Sequence, residues 1–189
     1  MSQLPTQSWR NAMIATFITA IVLAAMGQPL WCKCGTFSLT SWNIWSSHNS
    51  QHLIDPYTFS HVLHGIVLCW CLAFLPARFS TQQRFLIAAL LECAWEIVEN
   101  SPFVINRYRT ATIALDYLGD SVLNSVADVI ACMLGYEFAS RVRTAWSVAA
   151  FFVIELMLMI AIRDGLILNV LMLLMPIDAI KDWQMEIRR

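Results

Sequence analysis

Charge is what this sequence has least of. Of its 189 residues only 13% are Asp, Glu, Lys or Arg, against 58% that are hydrophobic, and the mean hydropathy is +0.59. A water-soluble domain carries about a quarter charged residues. The chain therefore cannot clothe a folded surface in solvated groups, and lipid must take the place of water. A net charge of −1 with no basic tract gives nucleic acid no electrostatic footprint. Internal repeats and low-complexity segments are also missing, which excludes a solenoid, and the length suits one compact domain rather than two. Cysteines are too few for a disulfide scaffold, at six. Cys69, Cys71, Cys93 and Cys132 fall in apolar runs and read as small apolar residues. Cys32 and Cys34, one residue apart, could hold a soft metal or pair with each other; a pairing or structural role is preferred to metal delivery.

What is present is a succession of apolar runs, at 11–30, 61–79, 85–99, 122–140, 145–162 and, less completely, 165–179. The first is uncharged and about 20 residues long, the length that crosses a hydrocarbon core. Arg10 before it gives a passing likeness to a signal peptide, but the run is long for that class and leads into further spans. These runs predict an all-α polytopic transmembrane helix bundle of five to six spans, one integral-membrane domain over 1–189. A cytoplasmic N-terminus places Arg10, Arg78, Arg84, Arg141, Arg143, Lys181, Arg188 and Arg189 inside, and leaves Lys33, Arg107, Arg109 and Arg163 outside. That is the positive-inside orientation. It predicts a multi-pass inner (plasma) membrane protein with both termini cytoplasmic in the six-span version. Segments 31–60 and 101–120 then face outward, and the outer face is where chemistry is expected.

Behind one apolar run stands ECAWEIVEN. Glu92, Glu96 and Glu99 are spaced i, i+4, i+7, so a helix carries them within about 60° of one face. Even the lenient insertion scale assigns a charge at mid-membrane about 3 kcal/mol, so this face must turn into the bundle. Partners are at hand on other segments. His61 and His64 are spaced i, i+3 at the start of the second run, with Asp55 and Tyr57 before them. Asp116, Asp120, Asn124 and Asp128 recur every fourth residue into the fourth run, downstream of Arg107 and Arg109. Either all four of that series share a stripe, or the helix begins at Ser121 with Asp120 as its cap and Asn124 and Asp128 facing inward.

Two imidazoles with several carboxylates can ligate Zn²⁺, Mn²⁺ or Fe²⁺. The expected ligands are His61, His64 and one of Glu96, Asp116 or Asp120, with a leftover carboxylate, Glu96 first, as general base to a bound water. Arg107 and Arg109 would hold a lipid phosphate and Asn124 would assist, while Asp55, Glu92, Glu99 and Asp128 support. Each residue also has an ordinary structural reading. The histidines can satisfy loop carbonyls, Asp116 and Asp120 can pair with Arg109 or cap a helix, and Glu92 can pair with Glu155 or Asn169. A buried polar network of this size is costly unless fully satisfied, and intramembrane ionisable clusters mark functional sites by default.

The order SQHLIDPYTFSHVLHG, ECAWEIVENSPFVINRYR and ALDYLGDSVLNSVADVIACMLGY resembles an uncharacterised family of bacterial inner-membrane proteins known only as a domain of unknown function. The likeness runs from about Trp31 to the last helix and implies location and multi-span topology rather than an activity. Asp55, His61, Glu96, Arg109, Asp116, Asp120, Asn124 and Gly135 are also distantly similar to the pattern of VanZ-like membrane proteins. Pro56 departs from the Lys usual there, and the stretch between Glu96 and Asp116 is longer. That resemblance implies the cell envelope and lipid-linked or peptidoglycan-related substrates. Three classes of function are thus expected, in order: a metal-dependent enzyme on a lipid or lipid-linked phosphate, an ion, proton or small-solute transporter, and a non-catalytic envelope assembly protein.

Overall fold

The computed structural model describes residues 6–114 and 117–186. Among them are eight helices and a single isolated β-bridge, Thr40 to Ile54. Five long helices form the bundle: α1 (Thr6–Ala25), α2 (Thr58–Ala73), α3 (Thr81–Glu99), α5 (Val122–Arg141) and α6 (Thr144–Ile162). Three short ones, α4 (Pro102–Ala111), α7 (Leu166–Leu174) and α8 (Asp178–Met185), gather at one end.

Local chemistry sets the boundaries. Ser80 and Gln83 form a reciprocal capping box at the start of α3. Ser101 caps α4 with Pro102 in its first turn, and Ser121 caps α5 by accepting from Asn124 N–H. Of the two starts considered for the fourth apolar run, the structure has the one near Ser121, but the serine is the cap and Asp120 stands before it. At the other end of the bundle the Arg84 guanidinium donates to the carbonyls of Ala73 and Leu75, tying α3 to the C-terminus of α2.

α2 and α5 cross most intimately, because each offers a glycine to the other's backbone. A Cβ on Gly65 would strike the Cys132 carbonyl, and one on Gly135 would strike the Val62 carbonyl. Below the crossing lies an apolar core of Phe85, Ala88, Ala89, Val129, Met133 and Tyr136, closed by Ala12 and Leu72. Helices α1, α5 and α6 are long and apolar enough to cross a membrane. Of these, α1 and α6 present large apolar side chains outward, among them Phe17, Ile18, Phe152 and Ile160. α2 is shorter, at 16 residues, and α3 carries the glutamates.

The run expected to give a sixth, less complete span is not one continuous helix. Its residues split into α7 and α8, and the nine residues of α7 reach only about 14 Å at 1.5 Å per residue. Arg163 ends α6 in a left-handed conformation (φ 50°) and the chain folds back. α8 then lies against the turn it came from: Gln184 Nε2 donates to Arg163 O (2.8 Å), and Lys181 Nζ donates to Thr110 O (3.0 Å). At the opposite end Trp9 of α1 packs on Phe85 at 5.3 Å. The start of α1 and the helix α8 therefore lie at opposite ends of the bundle. Lys181 joins the end of the bundle that holds α4.

Candidate functional site

The polar faces of α2, α3 and α5 meet near the α4 end. The i, i+4, i+7 spacing does what the sequence implies: Glu92, Glu96 and Glu99 all point inward and are buried. Glu92 is held by both histidines of α2. Its Oε1 lies 2.6 Å from His61 Nδ1 and 3.0 Å from His64 Nδ1. The anticipated pairing of Glu92 with Glu155 or Asn169 is thus corrected. Glu155 instead accepts from the Leu166 and Ile167 N–H groups (3.0 and 2.6 Å), receiving the orphan donors at the start of α7. Glu99 accepts from Tyr108 O–H at 2.7 Å, and the same hydroxyl lies 3.0 Å from Asn169 Oδ1.

Glu96 is different. It is wholly buried, and neither carboxylate oxygen has a hydrogen-bond partner. His61 Nδ1, already engaged with Glu92, is 3.5 Å from its Oε1. Glu99 Oε2 and Asp128 Oδ1 are likewise buried without a partner. His61 Nε2 faces Asp128 Oδ2 at 3.9 Å. Buried oxygens of this kind cost about 1–3 kcal/mol each when left unmatched, and these four form a donor set of the chemistry that binds a cation. Two overlapping sets of ligand atoms lie within 4.8 Å: His61, His64 and Glu92, and His61, Glu96 and Glu99. The first is internally hydrogen-bonded; the second holds the orphans.

Above the centre opens a small cleft. His61, His64, Glu99 and Asp128 form its floor, Tyr57, Tyr108 and Tyr117 its polar wall, and Trp95, Leu166 and Val170 its apolar wall. α7, folded back by the Arg163 turn, supplies the last two and Asn169. Tyr108, Tyr117 and Trp95 are site residues that sequence spacing did not single out. Only their places in outer loops or behind the Glu92 series could have flagged them.

Asp55 and Asp120 frame the cleft without joining either ligand set. Asp55 Oδ1 accepts from Tyr57 N–H (2.7 Å) and Thr58 N–H (3.1 Å), and its Oδ2 from Ser50 N–H (3.0 Å), which fastens the long loop to the start of α2. Burial outweighs these bonds and raises its carboxyl pKa. Asp120 accepts from Tyr117 O–H (2.8 Å) and Asn100 Nδ2 (3.0 Å), and burial still lifts it to about 6. Burial, with Asp120 nearby, pushes the Tyr117 hydroxyl well up. Gly119 makes this approach possible at φ 89°, where any side chain would meet Asn100 Oδ1. Asp120 was expected as a ligand; the structure gives it instead to Asn100 and Tyr117. Asp116 lies outside the described residues. Asn124 is buried and donates to His52 O (2.8 Å), so it holds the loop instead of lining the cleft. The arginines are not at the cleft either: Arg107 Nε donates to Leu173 O (2.7 Å) and Arg109 Nε to Tyr117 O (2.5 Å).

Comparison with known proteins adds a family. The chain matches "Protein of unknown function (DUF2585)" over residues 23–186. It is 49% identical to a UPF0314 protein of Paracoccus denitrificans over 90% of each chain. A UPF0314 protein of Rhizobium meliloti is 45% identical over 93% of this chain and 90% of its own. Another, from Sphingopyxis alaskensis, is 43% identical over 93% and 94% respectively. No solved structure matches. The chain belongs to the DUF2585 family, and the expected resemblance to an uncharacterised bacterial family is borne out.

Proposed function

We propose that this protein spans the inner membrane five times and holds a divalent cation (Zn²⁺, Mn²⁺ or Fe²⁺) on His61, Glu96 and Glu99. We further propose that it acts there on a lipid or lipid-linked phosphate at the outer leaflet. One observation carries the reading. A wholly buried glutamate with two unpartnered oxygens stands beside an imidazole and a second half-partnered glutamate, beneath a cleft. Three protein ligands and an open position toward a cleft are the arrangement of a catalytic metal site.

Each residue has work to do in this reading. Glu92, 2.6 Å from His61 Nδ1, keeps a proton on that nitrogen and leaves Nε2 as the free base. A bound cation would supply Lewis acidity and a water of lowered pKa. Asp128, with one oxygen unpartnered beside His61, is placed to take the proton of such a water. The lining suits an amphiphile: Leu166, Val170 and Trp95 for a chain, and the Tyr57 and Tyr117 hydroxyls for a headgroup. With Arg107 and Arg109 engaged elsewhere, a phosphate would rest on the cation and neutral donors. The VanZ-like pattern through Asp55, His61 and Glu96 agrees with an envelope substrate. Ion passage is disfavoured, because Phe85, Val129, Met133 and Tyr136 close the bundle below Glu92.

The test is phosphate release from polyprenyl diphosphate and phosphatidic acid in mixed micelles, with Mn²⁺ or Zn²⁺ added. Metal-dependent turnover that Glu96→Gln abolishes is expected. A Glu96→Gln variant that turns over at the wild-type rate contradicts the assignment.

A further inference from the structure

The Cys32-Lys33-Cys34 motif takes no part in the centre beneath the cleft, yet the fold gives it partners that its sequence neighbourhood does not advertise. The long segment between α1 and α2 doubles back and sets His48 and His52 over the two thiols. One ligand atom from each of Cys32, Cys34, His48 and His52 lies within 4.8 Å of all the others. Cys32 Sγ is 3.4 Å from His48 Nδ1. A tetrahedral zinc, with Zn–S of about 2.3 Å and Zn–N of about 2.0 Å, sets sulfur and nitrogen about 3.5 Å apart. This pair already stands at the edge of such a tetrahedron.

The surroundings prepare the other ligands. His52 Nδ1 lies 2.5 Å from Ser38 O, so that nitrogen carries the proton and Nε2 presents its lone pair. A carbonyl behind an imidazole in this way is the usual support of a metal-bound histidine. Backbone N–H groups point at both sulfurs, Cys34 N–H at Cys32 Sγ (3.4 Å) and Thr36 N–H at Cys34 Sγ (3.3 Å). Trp31 stands edge-on to His52 at 5.4 Å. Cys32 and His52 are buried while Cys34 is exposed, which leaves one open side for a metal to enter.

We propose that Cys32, Cys34, His48 and His52 form a closed Cys₂His₂ site for a structural Zn²⁺ that braces the wall of the cleft. Four protein ligands fill the tetrahedron and leave no position for a substrate. His48 and His52 bracket Asn49 and Ser50, both of which line the cleft. Ser50 sits between them at φ 58°, a conformation that a non-glycine residue adopts only when its surroundings impose it. From this short stretch Ser50 O accepts from Ser121 N–H (2.9 Å), Gln51 Nε2 donates to Gly119 O (2.7 Å) and His52 O accepts from Asn124 (2.8 Å). A zinc fixing both flanks would therefore fix the cleft's lip to the start of α5. This assignment is independent of the centre at His61, and its test separates the two.

The test is Co²⁺ titration of the full-length protein, reduced and metal-free in mild detergent. A thiolate-to-metal charge-transfer band in the near ultraviolet can arise only at a site with sulfur ligands. The band is expected in the wild type, displaced by Zn²⁺, lost in Cys34→Ser and in His52→Ala, and retained in Glu96→Gln. Zn²⁺ should also protect Cys34 of the wild type from iodoacetamide, a reading that needs no variant to fold. Three results would each overturn the proposal. They are no sulfur band in the reduced wild type, a band unchanged in the His48→Ala/His52→Ala double variant, and a Cys32–Cys34 disulfide in protein purified without reductant.

Discussion

His61 Nδ1 lies 2.6 Å from Glu92 Oε1 and 3.5 Å from Glu96 Oε1, so one imidazole divides two buried carboxylates into a partnered and an unpartnered one. The two glutamates should then respond differently to neutralisation. Glu92→Gln removes the group that orients His61, and changes of that kind weaken metal binding about 10–100-fold. Glu96→Gln removes a ligand, and binding should vanish. Calorimetric titration with Mn²⁺ reads both; equal effects would refute the division of roles.

At the crossing of α2 and α5, Gly65→Ala and Gly135→Ala each place a methyl group against the opposing backbone. Overpacking typically costs about 1–3 kcal/mol, and backbone, unlike a side-chain tip, cannot swing aside. Both variants should melt lower in detergent. Because one displacement relieves both clashes, the double variant should lose less than the two losses together.

Asp164 should make stability fall as pH rises. It is buried in the turn before α7, accepts from Tyr57 O–H (3.1 Å) and Gly165 N–H (2.9 Å), and burial raises its pKa from 3.8 to about 6. A carboxyl whose folded pKa lies above its unfolded one contributes fully below about pH 4, and that contribution is lost as pH climbs through 6. Each tenfold change in proton affinity is about 1.4 kcal/mol, so the difference amounts to about 3 kcal/mol. Asp164→Asn should therefore be more stable than the wild type at pH 7.5, with the gap closing toward pH 4. Melting curves across that range decide it; a gap that widens on acidification would be the wrong sign.

Glu155 anchors α7 by accepting its first two N–H groups. Glu155→Leu orphans those donors at about 1–3 kcal/mol each. Hydrogen exchange should accelerate across 166–174 while α2 and α5 stay protected, because α7 is short and belongs to the less stable part of the fold.

The legible part of this protein was its long-range periodicity. Three glutamates at i, i+4, i+7 on a face that cannot meet lipid forced an inward cluster, and two histidines at i, i+3 supplied its partner. The apolar runs likewise marked the five long helices. What the sequence hid depends on where the chain turns back. The run at 165–179 is apolar enough to resemble a span, and only the left-handed Arg163 and the Glu155 anchor show that it folds over the cleft. That reversal brings in Leu166, Asn169 and Val170. Arg107 and Arg109 looked free for a phosphate because their acceptors are backbone carbonyls, which no side-chain pattern reveals. His48 and His52 were hidden from Cys32 and Cys34 by the irregular loop between them, where no periodicity operates.

The most direct measurement is metal content, by elemental mass spectrometry, of full-length protein purified in mild detergent without chelator. Cys34→Ser, in which only the His61 centre remains, would be compared with Cys34→Ser/His61→Ala and Cys34→Ser/Glu96→Gln. One equivalent of Zn, Mn or Fe in the first, absent from both others while their melting stays cooperative, is the expected result. No metal in the first, or the same amount in all three, would contradict a cation on His61, Glu96 and Glu99.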